Sequence, residues 1–269
     1  MPPRIRTMRA ISCAAILAAA IPAGSLAQGF AALVSPPRFE LATKPGEALR
    51  EVVEITNASA QAAKYRLRTA DWIFEENSNV KFEEALQPGS CRPWVAIERR
   101  EITVSPGGKY RYRFEIAAPA DAPVGECRFA LMIEGDEQNV VTPGGPSFPI
   151  AGRLAVIVYV TVGGAKAKLE IVGNKTGTVN GEVVPVVLVK NTGNAHGRLA
   201  GFLSGTDAAG KKLEFSPSTS PILPGETRPV SLVLYRERDE PLKIAFPITI
   251  RGTLEWEDQK LPFEQSFAR

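Results

Sequence analysis

In Tyr110-Arg111-Tyr112-Arg113-Phe114-Glu115-Ile116, aromatic or aliphatic side chains alternate with charged ones. A period of two puts the apolar set on one face of an extended chain and the charged set on the other, which predicts a strand with one buried and one wet face. Tyr65 and Leu67 interleave with Arg66 and Arg68 in the same way. Segments of this kind recur near residues 31–43, 49–57, 63–74, 94–104, 109–117, 126–134 and 153–162, separated by turns such as Lys44-Pro45-Gly46-Glu47 and Ser105-Pro106-Gly107-Gly108. Many short strands at this spacing predict a β-sandwich.

Past Gly163-Gly164 the pattern begins again, with strands predicted near residues 168–172, 182–190, 198–205, 211–216, 228–236, 246–256 and 261–267. Phrases echo between the halves. Val53-Glu54-Ile55-Thr56-Asn57-Ala58-Ser59 resembles Val187-Leu188-Val189-Lys190-Asn191-Thr192-Gly193, and Val104-Ser105-Pro106-Gly107-Gly108 resembles Leu223-Pro224-Gly225-Glu226. In each half an apolar strand ends at Asn, and a later Pro-Gly turn enters an alternating strand. Two copies of one sandwich account for the echo; shared use of common turn residues is the other reading. The predicted division is residues 28–164 and 165–269, with so short a link that the two domains touch.

Composition supports the all-β reading, since 23 Gly and 22 Pro in 269 residues suit tight turns better than long helices. Arg4, Arg6 and Arg9 precede an apolar run that ends at Pro22, Gly24 and the small-residue site Ser25-Leu26-Ala27. This pattern reads as a signal peptide over residues 1–27, because an apolar run of about a dozen residues is too short to span a bilayer. Its removal leaves 242 residues with Lys+Arg and Asp+Glu balanced at 29 each, where the full chain carries +3. That balance removes support for a nucleic-acid or anionic-membrane partner bound by net charge. Export also sets the cysteine chemistry: Cys13 leaves with the signal, and Cys91 and Cys127 remain as a candidate disulfide, two buried thiols being the alternative.

Catalytic and metal chemistry is poorly supplied. His196 is the one histidine of the chain and lies in the turn-rich stretch Asn191-Thr192-Gly193-Asn194-Ala195-His196-Gly197, so it reads as structural. No Gly-x-Ser-x-Gly elbow or Cys-x-x-Cys pair is present. Gly205-Thr206-Asp207-Ala208-Ala209-Gly210-Lys211-Lys212 approaches a phosphate loop, but Lys212 stands where the magnesium-binding hydroxyl belongs, and a hairpin turn is the better reading. Asn57-Ala58-Ser59 and Asn174-Lys175-Thr176 match the glycosylation triplet, which is common by chance. The sequence therefore implies no enzyme, no cofactor and no metal. Its most unusual segment runs over residues 148–162, where Phe148 and Ile150 alternate and the remainder is nearly all apolar, after a Gly- and Pro-rich loop over 135–147. A strand with an exposed apolar face is an aggregation hazard unless it pairs with a partner.

Taken in order, the signal peptide, the Ser35-Pro36-Pro37-Arg38-Phe39-Glu40-Leu41 strand, the Pro-Gly turns, the apolar strand closing the first half, and the turns Asn191-Thr192-Gly193-Asn194-Ala195-His196 and Ile222-Leu223-Pro224-Gly225-Glu226-Thr227 resemble the periplasmic chaperones of the pilus chaperone–usher pathway. The resemblance covers most of residues 30–269. It implies two immunoglobulin-like β-sandwich domains in tandem, a periplasmic location, and pilus or fimbrial subunits as partners before assembly at an outer-membrane usher. It also implies strand donation: the chaperone lends its own strand to a subunit that lacks one, through Phe148 and Ile150, with Leu154 continuing the face. Pro149 has no backbone donor for that pairing. In that family two basic residues grip the subunit's terminal carboxylate. The first falls on Arg38; the second falls on Ala155, so this chain departs there, and Arg153, two positions earlier on the same face, is the candidate substitute. The rival class is a non-enzymatic immunoglobulin-like envelope or adhesion module, which needs neither a basic cleft nor an open apolar strand.

Overall fold

The computed structural model describes residues 30–75, 79–141, 145, 147–235 and 244–269. The expected signal peptide, with Cys13, lies outside the described residues.

In the first half the strands are β1 (Ala32–Ser35), β2 (Arg38–Thr43), β3 (Ala48–Asn57), β4 (Ala63–Phe74), β5 (Val80–Glu83), β6 (Val95–Ile97), β7 (Glu101–Val104), β8 (Lys109–Ala117), β9 (Gly125–Gly135), β10 (Gln138–Val141), β11 (Ser147–Ile150) and β12 (Arg153–Val162). One sheet runs β1-β3-β8-β6; the facing sheet runs β2-β12-β9-β4-β5, with β7 also on β4. Their inner faces enclose a core that includes Val53, Ile55, Leu67, Tyr112, Phe114, Ile116, Phe129, Leu131, Val156 and Val158. The alternation at residues 110–116 is the direct cause: Tyr112, Phe114 and Ile116 are buried while Arg111, Arg113 and Glu115 face outward or lie at the rim.

The second half forms β13 (Leu169–Val179), β14 (Glu182–Asn191), β15 (Leu203–Thr206), β16 (Lys212–Pro217), β17 (Thr227–Leu234), β18 (Ile248–Trp256) and β19 (Gln259–Phe267), paired in the order β13-β14-β17-β16-β15-β18-β19. That sheet folds over its own core of Val187, Val189, Phe215, Val230, Leu232, Ile250 and Phe267. Its two end strands approach closely enough for Asn174 Nδ2 to donate to Gln265 Oε1 at 2.6 Å. The chain is thus all-β, with two sandwich-like groups of sheets.

The echoed phrases do the same work in both halves. Asn57 and Asn191 are fully buried at the ends of β3 and β14. Each carboxamide oxygen accepts from the N–H two residues on, Ser59 at 3.0 Å and Gly193 at 2.9 Å. Each amide nitrogen crosses to the carbonyl just before the Pro-Gly turn, Val104 at 3.1 Å and Ile222 at 2.8 Å. Asn57 is therefore sealed inside the fold, which excludes a glycan on its triplet in the folded chain. Asn57→Ala is expected to destabilise the first sandwich by about 1–3 kcal/mol, because it strips buried carbonyls of their donor; urea unfolding measures this.

The apolar segment read as continuous from residue 148 is divided. β11 ends at Ile150, and β12 starts at Arg153. Between them the Gly152 carbonyl accepts from Gly135 N–H at 3.0 Å. The Phe30 ring occupies the space that a side chain at Gly152 would need. β11 instead pairs with β10 as a separate two-stranded hairpin. The strand expected near residues 153–162 begins where β12 does; what the apolar run does not disclose is the separate pairing of β11 with β10.

Candidate functional site

Counting outward from the core of the first half, the even residues of β12 face inward and the odd ones outward, so Arg153, Ala155, Ile157, Tyr159 and Thr161 share the outer face. On the neighbouring strands that face carries Arg38 and Glu40 from β2, Ala130 and Met132 from β9, and Ala70 and Trp72 from β4. It is apolar at its centre, and Leu223 of the second half is buried in one cluster with Trp72, Met132 and Tyr159. Trp72 meets Phe74 and Tyr159 edge-on with ring centroids 5.2 and 5.6 Å away. Two arginines roof the aromatics: Arg128 lies 5.2 Å from the Trp72 ring, and Arg228, itself paired with Glu226 at 2.6 Å, lies 4.6 Å from Phe74. The two sandwiches are therefore joined across a packed surface.

Beside this apolar patch the cleft turns polar. The Asn191–His196 turn is pressed against the strand entry of the second half; a side chain at Gly193 would collide with the Lys166, Ala167 and Lys168 backbone. Its Asn194 carbonyl accepts from Glu126 N–H at 2.8 Å. The turn delivers His196 onto the Tyr159 ring, stacked at 3.9 Å. Glu126, whose side chain is 0% exposed, accepts on Oε2 from the His196 backbone N–H at 3.0 Å and from Nδ1 at 2.5 Å. The ring and the backbone of His196 thus both hold the same carboxyl oxygen of Glu126. Burial pushes the Tyr159 hydroxyl above its ordinary pKa, against the opposing pull of Arg198.

Arg38, on β2, is half-exposed and pairs with Glu40 at 2.8 Å. Glu40 also lies 3.5 Å from Arg198 Nε and 3.5 Å from His196 Nε2, both from the second half. Glu40, His196 and Arg198, with Tyr159, Glu126, Thr161 and Glu257, line a cavity of about 360 Å³ between the sandwiches, which Arg38 reaches only through its pair with Glu40. Arg153 is not part of it. Arg38 faces Ile157 in the parallel β2/β12 ladder, and Arg153 stands four residues earlier, about 13 Å along the strand. It instead faces Glu134, whose carboxyl is held below its ordinary range chiefly by its hydrogen bond to Arg68, with Arg153 adding a smaller attraction. Ala155 is half-buried on the cleft face, where no basic group replaces it from the same strand.

The strand-donation candidates fall into two environments. Phe148 and Ile150 on β11 are 53% and 51% exposed. Leu154 on β12 is half-buried and packs inward against the core of the first half. Between residues 153 and 156, β12 is paired only with β9; β2 joins its other edge at Ile157. Among the described residues no strand covers that edge.

Cys91 and Cys127 are joined, with S–S 2.06 Å and Cα–Cα 5.3 Å, the disulfide that the sequence reading names as a candidate. Among the described residues no group of three or more His, Cys, Asp or Glu side chains is placed to hold a metal, and no helix is long and apolar enough to cross a membrane. Sequence reasoning singled out Arg38, Phe148 and Ile150 and did not single out Glu126 or Arg198, which the structure places at the cleft. Glu126 lies seventy positions from His196, and nothing in a local pattern joins them.

No family model matches this sequence, and no curated protein matches it. Among solved structures, the chain is similar to the YadV chaperone at 10% identity and TM-score 0.46, covering 87% of this chain and 98% of that one. It is similar to the class 5 fimbriae chaperone CfaA at 13% identity and TM-score 0.47, covering 88% and 99%. It is also similar, at 13% identity and TM-score 0.45, to a chain of the CsuC–CsuE chaperone–tip adhesion subunit pre-assembly complex from the Csu pili of Acinetobacter baumannii, covering 88% and 99%.

Proposed function

We propose that the protein is a periplasmic, non-enzymatic assembly chaperone that holds pilus or fimbrial subunits by lending them a β-strand before an outer-membrane usher takes them up. Its two sandwiches are taken as residues 28–164 and 165–269, behind a signal peptide cleaved after residue 27. One observation carries this reading: the unpaired edge of β12 at residues 153–156 lies next in the chain to an exposed β11 bearing Phe148 and Ile150. An open edge offers backbone donors and acceptors to an incomplete sheet, and alternate side chains supply the fit. A free protein that leaves such an edge uncovered risks self-association, so a partner that covers it gives the feature a purpose.

In this reading Phe148 and Ile150 enter the subunit's groove, Leu154 continues the pairing onto β12, and Arg38 receives the subunit's terminal carboxylate through charge-assisted hydrogen bonds. Arg153 lies within reach of the same edge but away from the cleft, where it can grip an acidic group on the subunit flank.

Phe148→Asp combined with Ile150→Asp tests the mechanism. Both side chains are half-exposed, so the melting temperature should change little. Co-purification with exported subunits, quantified by mass spectrometry, should fall by about tenfold or more, as expected when the central apolar anchors of an interface are lost. Undiminished recovery would overturn strand donation and favour a rigid envelope module.

A further inference from the structure

Glu40 is placed unlike an ordinary surface carboxylate. Its Oε1 alone lies 2.8 Å from Arg38 Nε, 3.5 Å from Arg198 Nε and 3.5 Å from His196 Nε2. Nitrogens from both sandwiches thus converge on one oxygen at the mouth of the interdomain cavity. Yet the Glu40 side chain remains 47% exposed, so it is not a buried structural ion. Arg198, only 21% exposed, donates from Nη1 to the Thr219 carbonyl at 2.8 Å and hydrogen-bonds Tyr159, while its buried Nε makes no hydrogen bond. Its guanidinium lies 5.7 Å from the Tyr159 ring, which holds it over the cavity.

We propose that Glu40 is an internal ligand of an anion site formed by Arg38 and Arg198, and that a partner's terminal carboxylate enters by displacing it. Arg198, contributed by the second sandwich, then supplies the second cation that Ala155 lacks. The inference rests on reading Arg38 as the carboxylate anchor and adds how that anchor is completed and kept occupied.

The exchange conserves charge, since one carboxylate leaves the two guanidiniums as another arrives. A half-exposed ion pair is weak and is released to water at little cost. An incoming carboxylate that reaches both arginines gains the hydrogen bond Arg198 Nε now lacks, and two-point contact with guanidinium is the stronger arrangement. The remaining acids at the cavity, Glu126 and Glu257, are otherwise engaged: Glu126 by His196, and Glu257 by the Ala167 N–H at 3.0 Å. Glu40 is therefore the acid whose removal should open the site.

The test compares an octapeptide of alternating valine and threonine with a free C-terminal carboxylate against the same peptide as its amide, by isothermal titration. Glu40→Gln should tighten binding of the carboxylate form by about fivefold, the size expected when one exposed ion pair stops competing, and leave the amide form unchanged. Adding Arg198→Gln should abolish that gain. Equal effects on both peptides, a gain that survives Arg198→Gln, or no measurable binding to Glu40→Gln at millimolar peptide would each overturn the proposal. Arg38→Gln separates the two layers. If it abolishes discrimination between the peptides while Glu40→Gln and Arg198→Gln change nothing, the anchor reading stands and the displacement inference fails; if discrimination survives Arg38→Gln, the anchor reading fails.

Discussion

His196→Ala is expected to lower the free energy of unfolding by about 3–5 kcal/mol, the penalty for stranding a buried carboxylate. The carboxylate is Glu126, which is fully enclosed and whose Oε1 has no hydrogen-bond partner among the described residues. Its charge is held by two donors on Oε2, the His196 backbone N–H and the ring Nδ1. Alanine retains the first and removes the second, together with the ring stacked on Tyr159. The buried carboxylate must then admit water or separate the sandwiches, and either response costs stability. Urea unfolding followed by tryptophan fluorescence suits the measurement, because Trp72 sits in the same interdomain cluster. Glu126→Gln provides the control. With the charge gone, the imidazole matters less, and the double-mutant cycle should return a coupling of about 1–3 kcal/mol. A His196→Ala loss below about 1 kcal/mol would mean that the histidine is only a turn residue and that the interface rests on apolar packing around Leu223.

That interface also shows what a single sequence does and does not disclose. Strands β4, β8 and β12 match the expected bounds because their signals are local: β8 alternates between a buried and a wet face, β4 alternates at its start, and β12 is a continuous apolar run. The equivalence of Asn57 and Asn191 was legible for the same reason: an Asn ending a strand and a Pro-Gly turn are short signals, and in both halves one hydrogen-bonds to the backbone before the other. Strands β5 and β10 have no counterpart in the sequence reading, and β11 stands there only as the start of the 148–162 segment. Each has four residues, too few to establish a period, and a Gly- and Pro-rich loop masked the hairpin. The stretch over residues 94–104 was read as one strand but contains β6 and β7, which pair with β8 and β4 of opposite sheets. A crossing between layers leaves little trace in apolar periodicity. The cleft is the extreme case. Arg38 and Glu40 come from β2, Glu126 from β9, Tyr159 from β12, and His196 and Arg198 from a turn of the second sandwich. Their meeting depends on how one sandwich packs against the other, a long-range outcome that local sequence patterns do not encode.

Removing the Cys91–Cys127 bond is expected to cost about 4 kcal/mol, from the chain entropy regained when a loop spanning 36 residues is released in the unfolded state. Both cysteines are buried in the core of the first half, so a reductant should reach them only when that sandwich opens. The loop is also held without the bond. Asp71, almost fully buried, accepts from Gln87 N–H at 2.8 Å and Ser90 Oγ at 2.6 Å, and pairs with Arg92 at 3.5 Å. Local structure of this kind lets the folded state survive reduction, while the lost stability appears through a less restricted unfolded chain. Cys91→Ala with Cys127→Ala is the appropriate variant, since serine would add buried hydroxyls and confuse the comparison. The predicted result is a native-like circular dichroism spectrum, a lower urea midpoint for the first sandwich, and an unfolding slope that rises because the unlinked chain exposes more surface. A loss below about 1 kcal/mol with an unchanged slope would instead place the loop's restraint in the Asp71 network, persisting after unfolding.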